Sequence, residues 1–452
     1  MRRSVWVCVL MAAVVVAGAA SAAPAVKITS YPAFGGWGDA TGTCSGCNPA
    51  EYRVALYIFI PSAGWWTKPT FAQPTVAIDT NGHWTGAVAN GGVDNLATVI
   101  SAFLVPAAYT PPRAEGVGTL PSAIFSNAVA RYDVERTDPA QRQITFSGYQ
   151  WLVKSSDSAV GPGPNRFSDS TQNVWVDAQG RLHLRITHDQ FTGQWHCAEI
   201  YSLRSFGYGV YRFYLDSRVD DLDPNIVLGL FTWDDDSAYA YREIDIEFAR
   251  WGDPYNPGNS QFVVQPSDLP GNIHRFATPP ATTSTHSFTW RPDYIAFASV
   301  KGHQAVQPAP ADVIQSWTYT HQQGIPRRGR EKARLNLWLT GGLPPSNAQE
   351  REVVVNRFEF VPVVVGSTNR GLRDPIAAAA RGLFLFTVWG RVTVQDADSF
   401  TLDDGYGAQV RVICTGHALG SGGYAAAMGV LDTTTSPPSL TTSREEIRPL
   451  DP

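Results

Sequence analysis

Between Tyr241 and Phe248 the chain alternates acid and apolar side chains: Glu243, Asp245 and Glu247 take every second position, with Ile244, Ile246 and Phe248 between and after them. Successive side chains on a β-strand leave opposite faces, so this period of two puts three carboxylates on one surface and three apolar groups into a core. Stability alone does not ask for such a strand. Like charges in a row repel, and Asp and Glu are poor strand formers. A solvated edge strand that carries charge against aggregation is the plain alternative. It fits badly here, because Trp233, Tyr239, Tyr241 and Trp251 surround the acids, and aromatic rings do not suit a solvated charged face.

The rest of the chain supports a β reading. At 452 residues it exceeds one core, and about 150 residues per domain suggests three. Hydrophobic residues make up 44% and charged residues 17%, and 40 glycines, 32 prolines and few long helical periods favour strands over helices. The net charge of −5 leaves no basic footprint for nucleic acid or an anionic membrane. Residues 1–23 read as a secretory signal: Arg2-Arg3, an apolar run from Val5 to Ala17, then small residues ending at Ala20-Ser21-Ala22-Ala23. The expectation is export to the extracellular space or periplasm, with no membrane attachment after cleavage, as a monomer. In that compartment Cys44 and Cys47, two residues apart, are expected to form a small local disulfide, while Cys197 and Cys414 read as buried thiols.

Taken in order, residues 24–136 hold alternating segments such as Tyr52–Ile60 and Ala97–Leu104, separated by turns at Asp79-Thr80-Asn81-Gly82 and Asn90-Gly91-Gly92. This region reads as an immunoglobulin-like β-sandwich in which Trp65, Trp66 and Trp84 pack in the core or against a neighbouring domain. A short polar stretch, Asp138 to Gln141, leads into 142–365. Dense strand signals there fit one large two-sheet sandwich, which includes the carboxylate strand. A linker follows at 366–380. Residues 381–452 then suggest a five-stranded barrel of the oligonucleotide/oligosaccharide-binding type, with a hairpin turn at Asp404-Gly405-Tyr406-Gly407. Five arginines face eight acids in this tail and lysine is absent, so phosphate-backbone binding lacks its driving force. The expected class is all-β: a central sandwich flanked by an immunoglobulin-like sandwich and a small barrel.

Two carboxyls on one strand face suit the hydrolysis of a glycosidic bond, where one group protonates the leaving oxygen and the other attacks or activates water. Mutual repulsion raises one group and keeps it protonated while the other stays ionised. Here the residues carry a resemblance. Glu243-Ile244-Asp245-Ile246-Glu247-Phe248 resembles the signature of glycoside hydrolase family 16, in the form without a bulge. Phe206 to Tyr211, His286-Ser287-Phe288-Thr289-Trp290 with Pro292 to Ile295, and Arg334-Leu335-Asn336-Leu337-Trp338 resemble further strands of that family, in its order. The resemblance spans about 142–365 and implies a concanavalin A-like β-jelly-roll whose concave sheet forms a glycan cleft. It implies that Glu243 is the nucleophile, Asp245 its helper and Glu247 the acid/base. It further implies sugar contacts at Trp233, Gln261, Trp290, Asn336 and Trp338, to which Trp251, beside the acids, is added.

Two departures bear on specificity. The family's polar residue two positions after Gln261 is Val263 here, and Arg250 and Trp251 add charge and bulk just past the motif. No cofactor is required by this chemistry. A structural calcium ion is conceivable at Asp220-Asp221-Leu222-Asp223 or Asp234-Asp235-Asp236, although turn residues explain both runs and no metal ligands are assigned. The function expected is a secreted retaining endo-glycosidase on a β-glucan, galactan or xyloglucan. The alternatives are a non-catalytic glycan-binding protein of the same fold and a transglycosylase using the same site.

Overall fold

The computed structural model describes residues 24–61, 63–235, 237–304, 308–321, 324–373, 384–417 and 419–450. The expected signal at 1–23 and the later part of the linker lie outside the described residues. The described chain is almost wholly strand and turn, as the alternation and the glycine and proline content predict. It forms two compact units, one of residues 25–44 and 48–365 and one of residues 366–450 with the short 45–47 segment.

Within the larger unit, residues 25–135 form a sandwich. One sheet pairs Gly38–Ser45 with His83–Ala89 and with Ala25–Ser30. The other centres on Tyr52–Ile60, flanked by Gly64–Lys68 and Val99–Pro106. The run Val54 to Ile58 is fully buried, which explains why its sequence is apolar at consecutive positions rather than alternating. Trp65 and Trp84 are buried here too, in keeping with core packing. Cys44 and Cys47 are both thiols, so the expected local disulfide is not formed.

Residues 143–362 form the second and larger sandwich. Its inner sheet runs, strand by strand, through Ile273–Phe276, Ser260–Val264, Ile244–Phe248, Ile226–Trp233, Lys332–Leu339, Gln194–Ser202, Tyr149–Val153 and Gln143–Phe146. The outer sheet contains Leu182–Asp189, Arg351–Pro362, Gly209–Leu215, Ser284–Trp290, Ile295–Lys301 and Val313–Tyr319. The Leu182–Asp189 strand links the layers: Leu182 to Ile186 pair with Arg351–Val355 of the outer sheet, and Thr187 to Asp189 with Gln194–His196 of the inner one. Ile244, Ile246 and Phe248 are fully buried between the layers. Phe248 meets His286 edge-on at 4.7 Å, and Phe262 stacks on Phe297 at 4.9 Å.

Two more expectations change. The acid-bearing strand starts at Ile244 rather than Tyr241, because Ala240, Tyr241 and Arg242 all adopt left-handed backbone (φ of 48°, 58° and 50°) and turn the chain before Glu243. Trp290, assigned to the cleft by resemblance, lies in the core. It sits on the outer sheet, fully buried, packs edge-on against Tyr208 at 5.1 Å and donates its indole N–H to the Pro326 carbonyl at 2.9 Å. The inward face of an outer-sheet strand is core, whereas a cleft needs the outward face of the inner sheet.

In the smaller unit, Leu385–Asp396 pairs with Ser399–Asp403, which pairs with Gln409–Ile413; that strand runs parallel to Ser439–Thr441, which pairs with Tyr424–Asp432, and this last strand returns to Leu385–Asp396. The ring closes through these five strands, as expected for the small barrel. Its interior is filled by Val388, Phe400, Leu402, Val410, Val412 and Leu440 among others.

Candidate active site

The inner sheet sets side chains in rows across its outward face. Strand register aligns Gln261, Glu247, Gly229, Asn336 and Glu199 in one row, and Val263, Asp245, Phe231, Arg334 and Tyr201 in the next. Glu243 follows one step beyond Asp245 on the same side. The three acids therefore share one face, which is what their alternation requires. They line a cavity of about 1070 Å³ together with Glu199, Phe231, Trp233, Arg334, Asn336 and Trp338.

Each acid has a distinct setting. Glu247 accepts a hydrogen bond from Gln261 Nε2 at 2.7 Å, and Gln261 in turn accepts one from Arg275 Nη1 at 2.8 Å. Arg275 is anchored by donating to the Ala249 and Gly258 carbonyls at 2.9 and 2.6 Å. Asp245 is buried, accepts from Gln265 Nε2 at 3.4 Å, and shares a hydrogen bond with Glu243. Burial raises all three above the usual carboxylate range. For Glu243 and Asp245 the neighbouring carboxylates add to this, and Glu243 is pushed up to about 8 and Asp245 well above its ordinary value. Glu247 is raised to about 7, with Gln261 and Arg275 pulling it back down. On Glu243 the Asp245 hydrogen bond and the Arg334 charge likewise favour the ionised form. These groups are coupled and titrate as a set.

Asn336 is positioned by a glycine. Its Oδ1 accepts from the Gly229 N–H at 3.1 Å, and a Cβ at 229 would lie 2.5 Å from that oxygen. Trp233 is half-buried, stacks on Tyr241 at 4.3 Å and donates to Asp235 Oδ1 at 3.1 Å, so one face of its ring is already covered. Trp338 lines the cavity and meets Trp251 at 5.9 Å; Trp251 is 37% exposed. Of the residues assigned from sequence, the cavity thus gathers Glu243, Asp245, Glu247, Trp233, Asn336 and Trp338. Gln261 stands directly behind Glu247, Trp251 borders Trp338, and Trp290 is elsewhere.

Several residues were not singled out from sequence. Glu199 is buried on the cavity face, bridged by Lys154 Nζ at 2.9 Å and Arg334 Nη1 at 2.8 Å. A glutamate inside the apolar run Cys197-Ala198-Glu199-Ile200 is itself a signal, since a buried acid needs a cation. Arg275 gave no such signal, because its link to Glu247 runs through cross-strand register. The left-handed turn before Glu243 is held by the buried Asp234–Arg242 ion pair at 2.6 Å and by Thr232 Oγ1 donating to the Arg242 carbonyl at 2.8 Å. Among the described residues no cluster of three or more metal-ligating side chains is assembled. The aspartates from 220 to 223 are engaged by protein: Asp220 by Arg218, Asp221 by Arg351 and Asp223 by Ser346.

No family model matches the chain, and no curated protein matches it. Solved structures similar to it include the Bacillus licheniformis β-glucanase, at 19% identity and a TM-score of 0.36, covering 50% of this chain and 99% of that one. A prokaryotic β-1,3-1,4-glucanase (lichenase) derived from a mouse hindgut metagenome matches at 19% identity and a TM-score of 0.34, over 46% of this chain and 92% of its own. An immunostimulatory antigen and pseudo β-1,3-glucanase of Mycobacterium tuberculosis matches at 20% identity and a TM-score of 0.35, over 47% and 91%. The fold and the site described above stand on the chain's own geometry, independently of these matches.

Proposed function

We propose that this protein is a secreted retaining endo-glycosidase that hydrolyses β-linkages within a polysaccharide of the glucan, galactan or xyloglucan class. The observation that carries the reading is the grouping of Asp245 and Glu247 on one strand face, with Glu243 just ahead of the strand, at the wall of a cavity of about 1070 Å³. The roles follow the resemblance of Glu243-Ile244-Asp245-Ile246-Glu247 to the family 16 signature, in which the first acid attacks and the last shuttles the proton. Glu243, hydrogen-bonded to Asp245 and facing the Arg334 charge, is the group that attacks the anomeric carbon. In the reactive form of this coupled set Glu243 is ionised, and Glu247, raised by burial, carries the proton that it gives to the departing glycosidic oxygen. The glycosyl–Glu243 ester that forms is then opened by water. Glu247, now ionised, takes the water's proton, and both carboxyls return to their starting states. Asp245 follows the charge on Glu243, holding its hydrogen bond when Glu243 is ionised and relaxing it when the ester forms. No cofactor enters these steps.

The test is release of reducing ends from a panel of laminarin, mixed-linkage β-glucan, xyloglucan and agarose by the wild type, Glu243→Ala and Glu247→Gln. Cleavage by the wild type and loss of about 10²–10⁴-fold in each variant is the expected result. Glycan binding without release of reducing ends by the wild type would instead make the protein a lectin-like binder. Retained anomeric configuration in the first-formed product tests the double displacement, and inversion would sink it.

A further inference from the structure

The cavity beside the three acids is not walled by the central sandwich alone. Its lining crosses to the N-terminal sandwich, taking in Phe34, Phe59, Pro61, Leu96 and Thr98. Both sandwiches belong to one compact unit, and the seam between them is bonded rather than loose. Lys332 donates to Glu135 at 2.8 Å, and the Gln141 side chain bonds the Tyr201 hydroxyl at 2.6 Å. The polar stretch read from sequence as a connector is therefore part of the cavity rim.

The rim itself is rigid for an identifiable reason. Arg136 is 5% exposed, and a guanidinium has five N–H donors. Its nitrogens donate to the carbonyls of Ala97 at 2.7 Å, Pro32 and Ala33 at 3.3 Å, Asp94 at 3.1 Å and Asn95 at 3.0 Å. One buried side chain thus ties together two loops, 32–36 and 93–98. A main-chain bond from Gly35 N–H to the Asn95 carbonyl at 2.9 Å joins them again. The second loop is fixed from behind by Asp94, which pairs with Lys68 and accepts from the Gly91 N–H at 2.9 Å. These loops present Phe34, half-buried, and Leu96, 39% exposed, to the cavity. Phe34 and Leu96 thus extend the apolar part of the lining, which Phe231, Trp233 and Trp338 supply beside the acids, onto the N-terminal sandwich.

We propose that the loops 32–36 and 93–98 of the N-terminal sandwich form a preorganised part of the substrate site, in which Phe34 and Leu96 contact sugar units remote from the bond that is cut. The occupant is the polysaccharide strand itself, because the wall is continuous with the cavity of the acids. β-Linked pyranoses carry apolar C–H faces that pack on aromatic and aliphatic side chains, and loops already pinned lose little freedom on binding. This rests on the glycosidase reading above. It adds that the N-terminal sandwich is a working part of the site rather than an appended module.

The experiment uses the full chain and two substrates of one linkage: the polysaccharide from the panel that the wild type cleaves best, and the matching para-nitrophenyl disaccharide, too short to span the cavity. For Phe34→Ala, kcat/KM on the polysaccharide is expected to fall about threefold to tenfold while kcat/KM on the disaccharide stays at the wild-type value. Leu96→Arg, at a more exposed position, carries the same test should Phe34→Ala fold poorly; circular dichroism of each variant checks this. Equal changes on both substrates, or no change on either, would overturn the wall assignment and leave the glycosidase reading intact. A wild type that cleaves nothing on the panel would remove both.

Discussion

Glu247→Gln should make the protein more stable, and only near and above neutral pH. The carboxyl's value rises from an ordinary 4.5 to about 7 on folding, mainly through burial. The folded state therefore binds more protons than the unfolded one between these two values. Its stability is whole below about pH 4.5 and drains away as pH climbs through about 7. At about 1.4 kcal/mol per pH unit, the gap caps the loss at about 3 kcal/mol. Water in an open cleft screens part of this, leaving about 1–2 kcal/mol. Glutamine keeps the shape and can still accept the Gln261 hydrogen bond, but it does not titrate. Thermal unfolding of wild type and variant, followed across pH, should coincide near pH 4 and separate above neutrality. The variant's transition is expected to lie about 2–8 °C higher there, given about 2–4 °C per kcal/mol for domains of this size. A constant difference at every pH, or a variant less stable at about pH 8, would refute the idea that Glu247 is held as a strained, buried acid.

Two further outcomes test other parts of the site. Arg275→Met removes both a positive charge that lowers Glu247 and the group that orients Gln261, so Glu247 should keep its proton to higher pH. The alkaline limb of kcat/KM should move up by about one pH unit, and a shift downward would contradict the relay. Gly229→Ala forces a Cβ to within 2.5 Å of Asn336 Oδ1 on a paired inner strand. Denaturant melts should show a loss of about 1–3 kcal/mol, and an unchanged midpoint would show that Asn336 is free to move aside.

Much of this was legible from the chain alone. The alternation from Glu243 to Phe248 fixed which side chains share a face, and period-two patterns with turn residues marked the two sandwiches and the barrel. What the sequence could not convey was which layer a strand joins. Phe288 and Trp290 alternate with polar neighbours as cleft residues would, yet their strand lies in the outer sheet, so parity sends Trp290 into the core. Cross-strand partners were equally hidden. Arg275 reaches Glu247 only through Gln261, and Arg136 meets carbonyls about 40 and 100 positions away, distances at which no local pattern operates. The left-handed turn was missed for the opposite reason: Ala240, Tyr241 and Arg242 are residues that ordinarily avoid positive φ.

That turn has a consequence for how Glu243 is carried. Three consecutive left-handed residues would suit glycine, or amino acids of the opposite chirality, and each of the present ones holds its conformation at about 1–2 kcal/mol. Glycine would relieve the backbone but would leave Trp233 without Tyr241 against its ring and Asp234 without Arg242. Glu243 is thus mounted on a sprung catch: the side chains that close it are the ones whose backbones resist it, so loosening the Asp234–Arg242 clasp would let the segment recoil toward right-handed geometry and carry Glu243 away from Asp245 and Glu247.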